Sequence, residues 1–155
     1  MLPDPFPDAG SPLAAILAGG ASRRFGAPKG LARIGERTLV ARIAEAAHGA
    51  HLEAVLITSE PERYTELALR SRPDLLAGVG PLGGIHAALR WAEDEGRPGV
   101  LVLPCDAPFL SAGLLRAIVE FAEGAEAVLP ESTGPRGVEP LCAFYSVRCI
   151  AHVEA

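Results

Sequence analysis

A chain of 155 residues, 49% of them hydrophobic, is long enough to bury the core of one domain and too short for two ordinary ones. Its formal net charge of −5 at pH 7 argues against a general nucleic-acid binder, which needs a basic face to neutralise phosphates. No apolar run approaches the roughly 18 residues of a membrane helix. Cys105, Cys142 and Cys149 have neither the even count of a disulfide framework nor the spacing of a zinc site, so a soluble protein of the reducing cytoplasm is expected.

Residues 1–12 carry four prolines, two aspartates and a glycine, too little apolar surface to bury, and read as a mobile tail. A single domain over residues 13–155 follows. Its first element is the apolar run LAAIL from Leu13, a strand that feeds the stretch LAGGASRRFGAPKG, residues 17–30. Gly19 and Gly20 let the backbone turn sharply and approach a ligand, with their N–H groups free to act as anion donors. Arg23, Arg24 and Lys29 add positive charge suited to phosphate oxygens. Two better-known glycine loops do not fit. Ala27 and Pro28 separate Gly26 from Lys29 where a Walker loop needs direct succession, and Gly19 and Gly20 are adjacent where the dinucleotide fingerprint needs spacing.

LARIG from Leu31 reads as a brief extended segment, and Thr38 as the cap of a helix over 39–50. AVLIT, 54–58, is β-branched and apolar on both faces, as a buried parallel strand requires. Pro61 can start a short helix. Residues 74–77 are expected to form a weak third strand, and the glycines of GVGPLGG, 78–84, to interrupt regular structure until helical spacing resumes at Ile85. The apolar strand 100–103 ends abruptly at Pro104, Cys105 and Asp106. Ser111 can cap a further helix with Leu114, Leu115, Ile118 and Val119 inward, and AVLP from Ala127 and LCAFY from Leu141 read as two last strands. Strands alternating with helices predict an α/β fold, a three-layer sandwich around a mainly parallel sheet, with ligands at the carboxyl ends of the strands. Gly19 and Asp106 both fall at such ends. A carboxylate there, opposite a cationic glycine loop, suits magnesium, which binds one or two carboxylates, waters and substrate phosphates. In an arbitrary protein Asp106 would sooner begin a turn before Pro108, but the company of the cationic glycine loop reverses that preference.

LAGGASRRFGAPKG closely resembles the signature of the molybdenum cofactor guanylyltransferases, and PCDAPFL, 104–110, resembles their second motif. The resemblance implies a Rossmann-like nucleotidyltransferase fold. It implies that Leu17, Ala18 and Gly19 lie against the nucleoside, that Lys29 meets the phosphates and that Asp106 binds Mg2+. Asp74 with LLAGVGPLGG resembles the segment that closes over the nucleoside, implying a nucleotide contact for Asp74 and close backbone approach at Gly80, Gly83 and Gly84. Where the second strand ends, Thr58 stands in place of a family asparagine, making base selectivity less secure. The family normally continues beyond LCAFYSVRCIAHVEA, so part of the acceptor side is expected to be incomplete.

The expected reaction is transfer of GMP from GTP to the phosphate of molybdopterin with release of pyrophosphate. Arg24, Lys29 and Asp106 stabilise charge, and no protein base is needed. The alternatives are a cytidylyl or sugar-phosphate nucleotidyltransferase of the same fold, or a nucleotide-binding module without catalysis. Transient contact with cofactor-synthesis or molybdoenzyme proteins is a further expectation. His48, His51, His86 and His152 lack metal-like spacing, Ser22 has no evident histidine base, and Trp91 reads as core. Arg136 reads as a solvated loop cation. Glu139 and Pro140 are equally consistent with facing the acceptor or with a plain loop.

Overall fold

The structure, a computed structural model, describes residues 10–19, 27–76, 78–107 and 109–155. In chain order it contains strand β1 (Leu13–Leu17), a hairpin of β2 (Arg33–Ile34) and β3 (Arg37–Thr38), helix α1 (Leu39–Gly49) and strand β4 (Ala54–Ile57). Then come β5 (Ser71–Arg72), α2 (Pro81–Asp94), β6 (Gly99–Pro104), α3 (Ala112–Glu120), β7 (Ala127–Val128), β8 (Ala143–Ser146) and α4 (Ile150–Val153). Short 3-10 turns occupy Lys29–Leu31, Pro61–Leu67 and Val147–Cys149.

The main sheet has the order β5-β4-β1-β6-β8-β7. The first four of these run parallel, β8 is antiparallel to β6, and β7 is antiparallel to β8. Because the strands are buried on both faces, their side chains alternate between two cores. Ala14, Ile16, Leu101 and Leu103 pack with Val40, Ile43, Leu115 and Ile118 of α1 and α3. Leu13, Ala15, Val100 and Val102 pack with Leu89, Trp91 and Ile150 of α2 and α4. The three-layer α/β sandwich expected from the alternating pattern is the one observed.

The caps lie where the sequence places them. Thr38 Oγ1 accepts from the Ala41 N–H at 3.2 Å, and Ser111 Oγ from the Leu114 N–H at 3.1 Å. Trp91 is core, 2% exposed; its indole N–H donates to Glu95, and the guanidinium groups of Arg70 and Arg72 stack on its ring.

Several expectations are corrected. The third strand is Ser71–Arg72, not 74–77, because Leu56 and Ile57 pair with Ser71 and Arg72; Pro73 follows and Asp74 folds into a turn. LARIG is not one extended segment: it divides between the 3-10 turn at Lys29–Leu31 and the first strand of the hairpin, whose tight turn uses Gly35 at φ +66°. Pro61 does start a short helix, as expected, a 3-10 helix of 7 residues over Pro61–Leu67. Helix α2 starts at Pro81, before Gly83 and Gly84, so packing overrides their poor helix propensity. Leu114 is 38% exposed, leaving Leu115 and Ile118 as the buried pair of α3. Among the described residues no helix is long and apolar enough to cross a membrane.

Gly99 is the tightest point between the parallel and antiparallel parts of the sheet. A Cβ there would run into the Tyr145 carbonyl oxygen and stand 2.8 Å from Cε2 of Phe144, an overlap relieved only by parting β6 from β8. Gly99→Ala should destabilise the protein by about 3 kcal/mol in urea unfolding. Gly10→Ala, with nothing within 4 Å of the added carbon, should change stability by less than about 0.5 kcal/mol.

Candidate functional site

Strand order reverses at β1. The chain moves outward through β4 to β5, then α2 carries it back to β6 on the other side of β1. The loops after β1 and β6 therefore diverge from adjacent strand ends and open a crevice. The register is explicit: Leu17 pairs with Pro104 on the β6 side and with Ile57 on the β4 side. The Ala18 N–H extends the ladder by one bond to Ile57 O, 2.9 Å, after which Gly19 leaves the sheet.

A cleft of about 960 Å³ lies over these strand ends. Leu17, Ala18, Gly19, Lys29, Asp74 and Asp106 all line it, so six of the expected nucleotide-site residues come together although 89 positions separate the first from the last. Gly20 and Arg24 lie outside the described residues.

Lys29 is held there by a residue with no side chain. Gly30 is buried, and a Cβ on it would meet Val40 Cγ2 at 2.5 Å and Cys105 Cβ at 3.5 Å. The turn is closed by the Leu31 N–H donating to Pro28 O and the Ala32 N–H to Lys29 O, both at 3.0 Å. Lys29 and Asp106 consequently flank the same thiol. Burial first, and then the Asp106 carboxylate, push the Cys105 thiol above its ordinary value, while Lys29 opposes them. Arg37, Arg70, Arg72, Arg90 and Arg97 are each paired with a carboxylate. Among the described residues, the Lys29 ammonium and Asp106 carboxylate have no hydrogen bond or ion pair.

Asp74 is more constrained. Its Oδ1 accepts from the Leu76 N–H at 2.9 Å, and the carboxylate sits against the first turn of α2. A Cβ on Gly83 would lie 2.5 Å from Oδ1 and 2.7 Å from Oδ2. A carboxylate at a helix N-terminus is also favoured by the helix dipole.

Two of the expected nucleotide residues lie off the cleft lining. Thr58 does not line the cleft. It is 3% exposed and its Oγ1 accepts from the Glu60 N–H at 3.1 Å; the strand alternation turns it inward and puts Ser59 on the cleft wall. Gly83 does not line it either, since its bare face is taken by Asp74, whereas Gly80 and Gly84 do. The sequence reading missed Ser59 and Tyr64. One further step along the strand's alternation would have found Ser59. For Tyr64, 34 positions beyond Gly30, no local signal exists.

The donor set fits magnesium. Asp106 is an exposed carboxylate and Asp74 lines the same cleft; magnesium takes one or two carboxylates from a protein and fills its remaining positions with waters and substrate oxygens.

The family model of the MobA-like NTP transferase domain matches residues 14–155. The chain belongs to this family. It is 39% identical over 139 residues to the "Probable molybdenum cofactor guanylyltransferase" of Pelotomaculum thermopropionicum, covering 90% of this chain and 65% of that protein. It is 35% identical over 141 residues to the "Molybdenum cofactor guanylyltransferase" of Desulfosudis oleivorans, covering 90% and 67%. Among solved structures it is similar to the "Molybdopterin-guanine dinucleotide biosynthesis protein A" of Archaeoglobus fulgidus, with a TM-score of 0.71, 26% identity, and coverage of 91% of this chain and 70% of that one. The chain thus spans about 65% of the length of the first of these relatives. In this MobA-like domain Gly19 and Asp106 follow strand ends that the register brings together, and both line the cleft.

The contact between Asp74 and Gly83 is testable by a double-mutant cycle. In an Asp74→Ala background, Gly83→Ala should stabilise the protein by about 0.5–1 kcal/mol through helix propensity. In the wild-type background the same change must push the carboxylate off its seat and should give no gain or a loss. Equal effects in both backgrounds, measured by urea unfolding, would show that the two sites do not interact.

Proposed function

We propose that this MobA-like domain transfers GMP from GTP to the phosphate of molybdopterin, releasing pyrophosphate. The observation that carries the reading is the pairing of Leu17 with Pro104 at the switch point, with Lys29 and Asp106 lining the cleft over these strand ends. Family membership and relatives named as molybdenum cofactor guanylyltransferases support the same reading.

In this reading Leu17, Ala18 and Gly19 bear against the nucleoside, with Asp74 and Ser59 on the β4 and β5 side of the cleft. Gly20, Lys29 and Arg24 engage the triphosphate. Asp106, with Asp74 lining the same cleft, would hold Mg2+, which would supply neutralisation of phosphate charge. An oxygen of the acceptor phosphate attacks the α-phosphorus. A new P–O bond forms as the bond to the β-phosphate breaks, and pyrophosphate leaves with the electron pair. The attacking oxygen is already anionic, so orientation and charge stabilisation suffice. Lys29 supplies a fixed positive charge where negative charge accumulates. The substrates, a cytoplasmic setting and passing contact with proteins that make or use the cofactor belong to the same proposal.

The test is pyrophosphate release with Mg2+, molybdopterin and either GTP or CTP. GTP should support product formation, and Lys29→Ala should lower the rate by on the order of 100-fold, about 3 kcal/mol of transition-state stabilisation. Undiminished turnover in Lys29→Ala would contradict the assignment. A CTP preference would move the reading to cytidylyl transfer, and saturable GTP binding without pyrophosphate release would reduce it to nucleotide holding.

A magnesium titration of the same assay should separate Asp106 from Lys29. Asp106→Asn should raise the Mg2+ concentration needed for half-maximal rate at least about tenfold, the factor lost when a charged ligand worth about 1.4 kcal/mol is neutralised. An unchanged magnesium dependence would remove Asp106 from the metal site.

A further inference from the structure

Tyr64 lies in the 3-10 turn after β4, with its ring in the core beside α1 and α3. The residue is 4% exposed, yet it lines the cleft. Its hydroxyl is one of two buried side-chain polar atoms among the described residues without a hydrogen-bond partner; the other is Arg42 Nε. The hydroxyl stands beneath the Lys29 turn, 3.4 Å from where a Cβ on Gly30 would be. Burial pushes its pKa up to about 12, with Cys105 and Glu60 adding to the shift, so the group is a neutral O–H donor at any physiological pH.

A buried hydroxyl without a partner destabilises the fold that contains it. A phenylalanine would fill the same ring volume without that penalty. The hydroxyl is therefore unexplained by the packing of the ligand-free molecule, and its position points to a partner that arrives with the ligand. The adjacent Lys29–Leu31 turn, whose Gly30 lies over the hydroxyl, is the nearest source of one. Its Lys29 side chain is exposed and its ammonium has no hydrogen bond or ion pair with a described residue, so a phosphate bound to Lys29 would pull on the backbone that covers Tyr64.

We propose that Tyr64 is a positioning residue for the phosphate site: when nucleotide engages Lys29, the Lys29–Gly30 backbone settles onto the Tyr64 hydroxyl, which donates a hydrogen bond to it and fixes the ammonium in place. The inference rests on the reading of this cleft as a nucleoside triphosphate site. The hydroxyl touches no reacting atom. It contributes to affinity by holding the turn that does.

Tyr64→Phe separates this role from a structural one. Without nucleotide, the variant should unfold at the same temperature as the wild type or higher, because the deleted group had no partner. With Mg2+ and GTP, its affinity by calorimetry should be about 5- to 10-fold weaker, the effect of one net hydrogen bond. Unchanged affinity, or an unfolding temperature below the wild type in the absence of nucleotide, would overturn the inference. Wild-type protein that binds no GTP at all would instead overturn the nucleotide reading, and this inference with it.

Discussion

The pairing of β1 with β6 is the constraint on which the rest of the molecule depends. Five rungs, Leu13 with Val100 through Leu17 with Pro104, join segments far apart in sequence and end at the same level. Below the last rung both strands are buried on two faces by α1 and α3 and by α2 and α4. Above it the backbones part. A one-residue slip would exchange the two faces of every side chain in the strand and bury the wrong set. The core therefore enforces the register, and the register brings the strand ends that precede Gly19 and Asp106 to one cleft. Chemistry at the rim is a consequence of packing underneath it.

The same dependence appears where side chains are missing. Gly30 lets Lys29 come down against β6 because Val40 and Cys105 fill the space that a Cβ would take, and Gly84 lets α2 approach Leu17, whose Cδ2 would be 3.1 Å from an added carbon. Gly83 seats Asp74. Three glycines that look like loop formers thus act as contact surfaces, each fixing one wall of the cleft. Such walls leave charge to a few exposed groups, while the remaining ion pairs, such as Arg97 with Glu53 and Arg70 with Glu95, tie helices and loops together away from it.

Much of this was legible in the sequence because it is local. Continuous apolar runs mark β1, β4 and β6, and Thr38 and Ser111 cap their helices through side-chain geometry confined to four residues. Lys29, Asp74 and Asp106, singled out by motif, line one cleft. What escaped depends on partners distant in the chain. The true third strand, Ser71–Arg72, is specified by β4 and not by its own polar residues. The early start of α2 depends on Asp74 and Leu17 accepting its glycines, against their intrinsic preference. Thr58 and Ser59 are both small hydroxyl residues, and only burial separates the one that stabilises a turn from the one that faces the cleft. Tyr64 reads as an ordinary aromatic in a short helix until the turn above it is in place.

The central claim is that a nucleoside triphosphate sits at the β1 and β6 switch point with its phosphates between Lys29 and Asp106. A crystal structure with Mg2+ and a non-hydrolysable GTP analogue tests it most directly. The account predicts the nucleoside against Leu17, Ala18 and Gly19, with phosphate oxygens in contact with the Lys29 ammonium and a metal ion on Asp106. A nucleotide bound outside this cleft, or within it with its phosphates away from Lys29, would contradict the account.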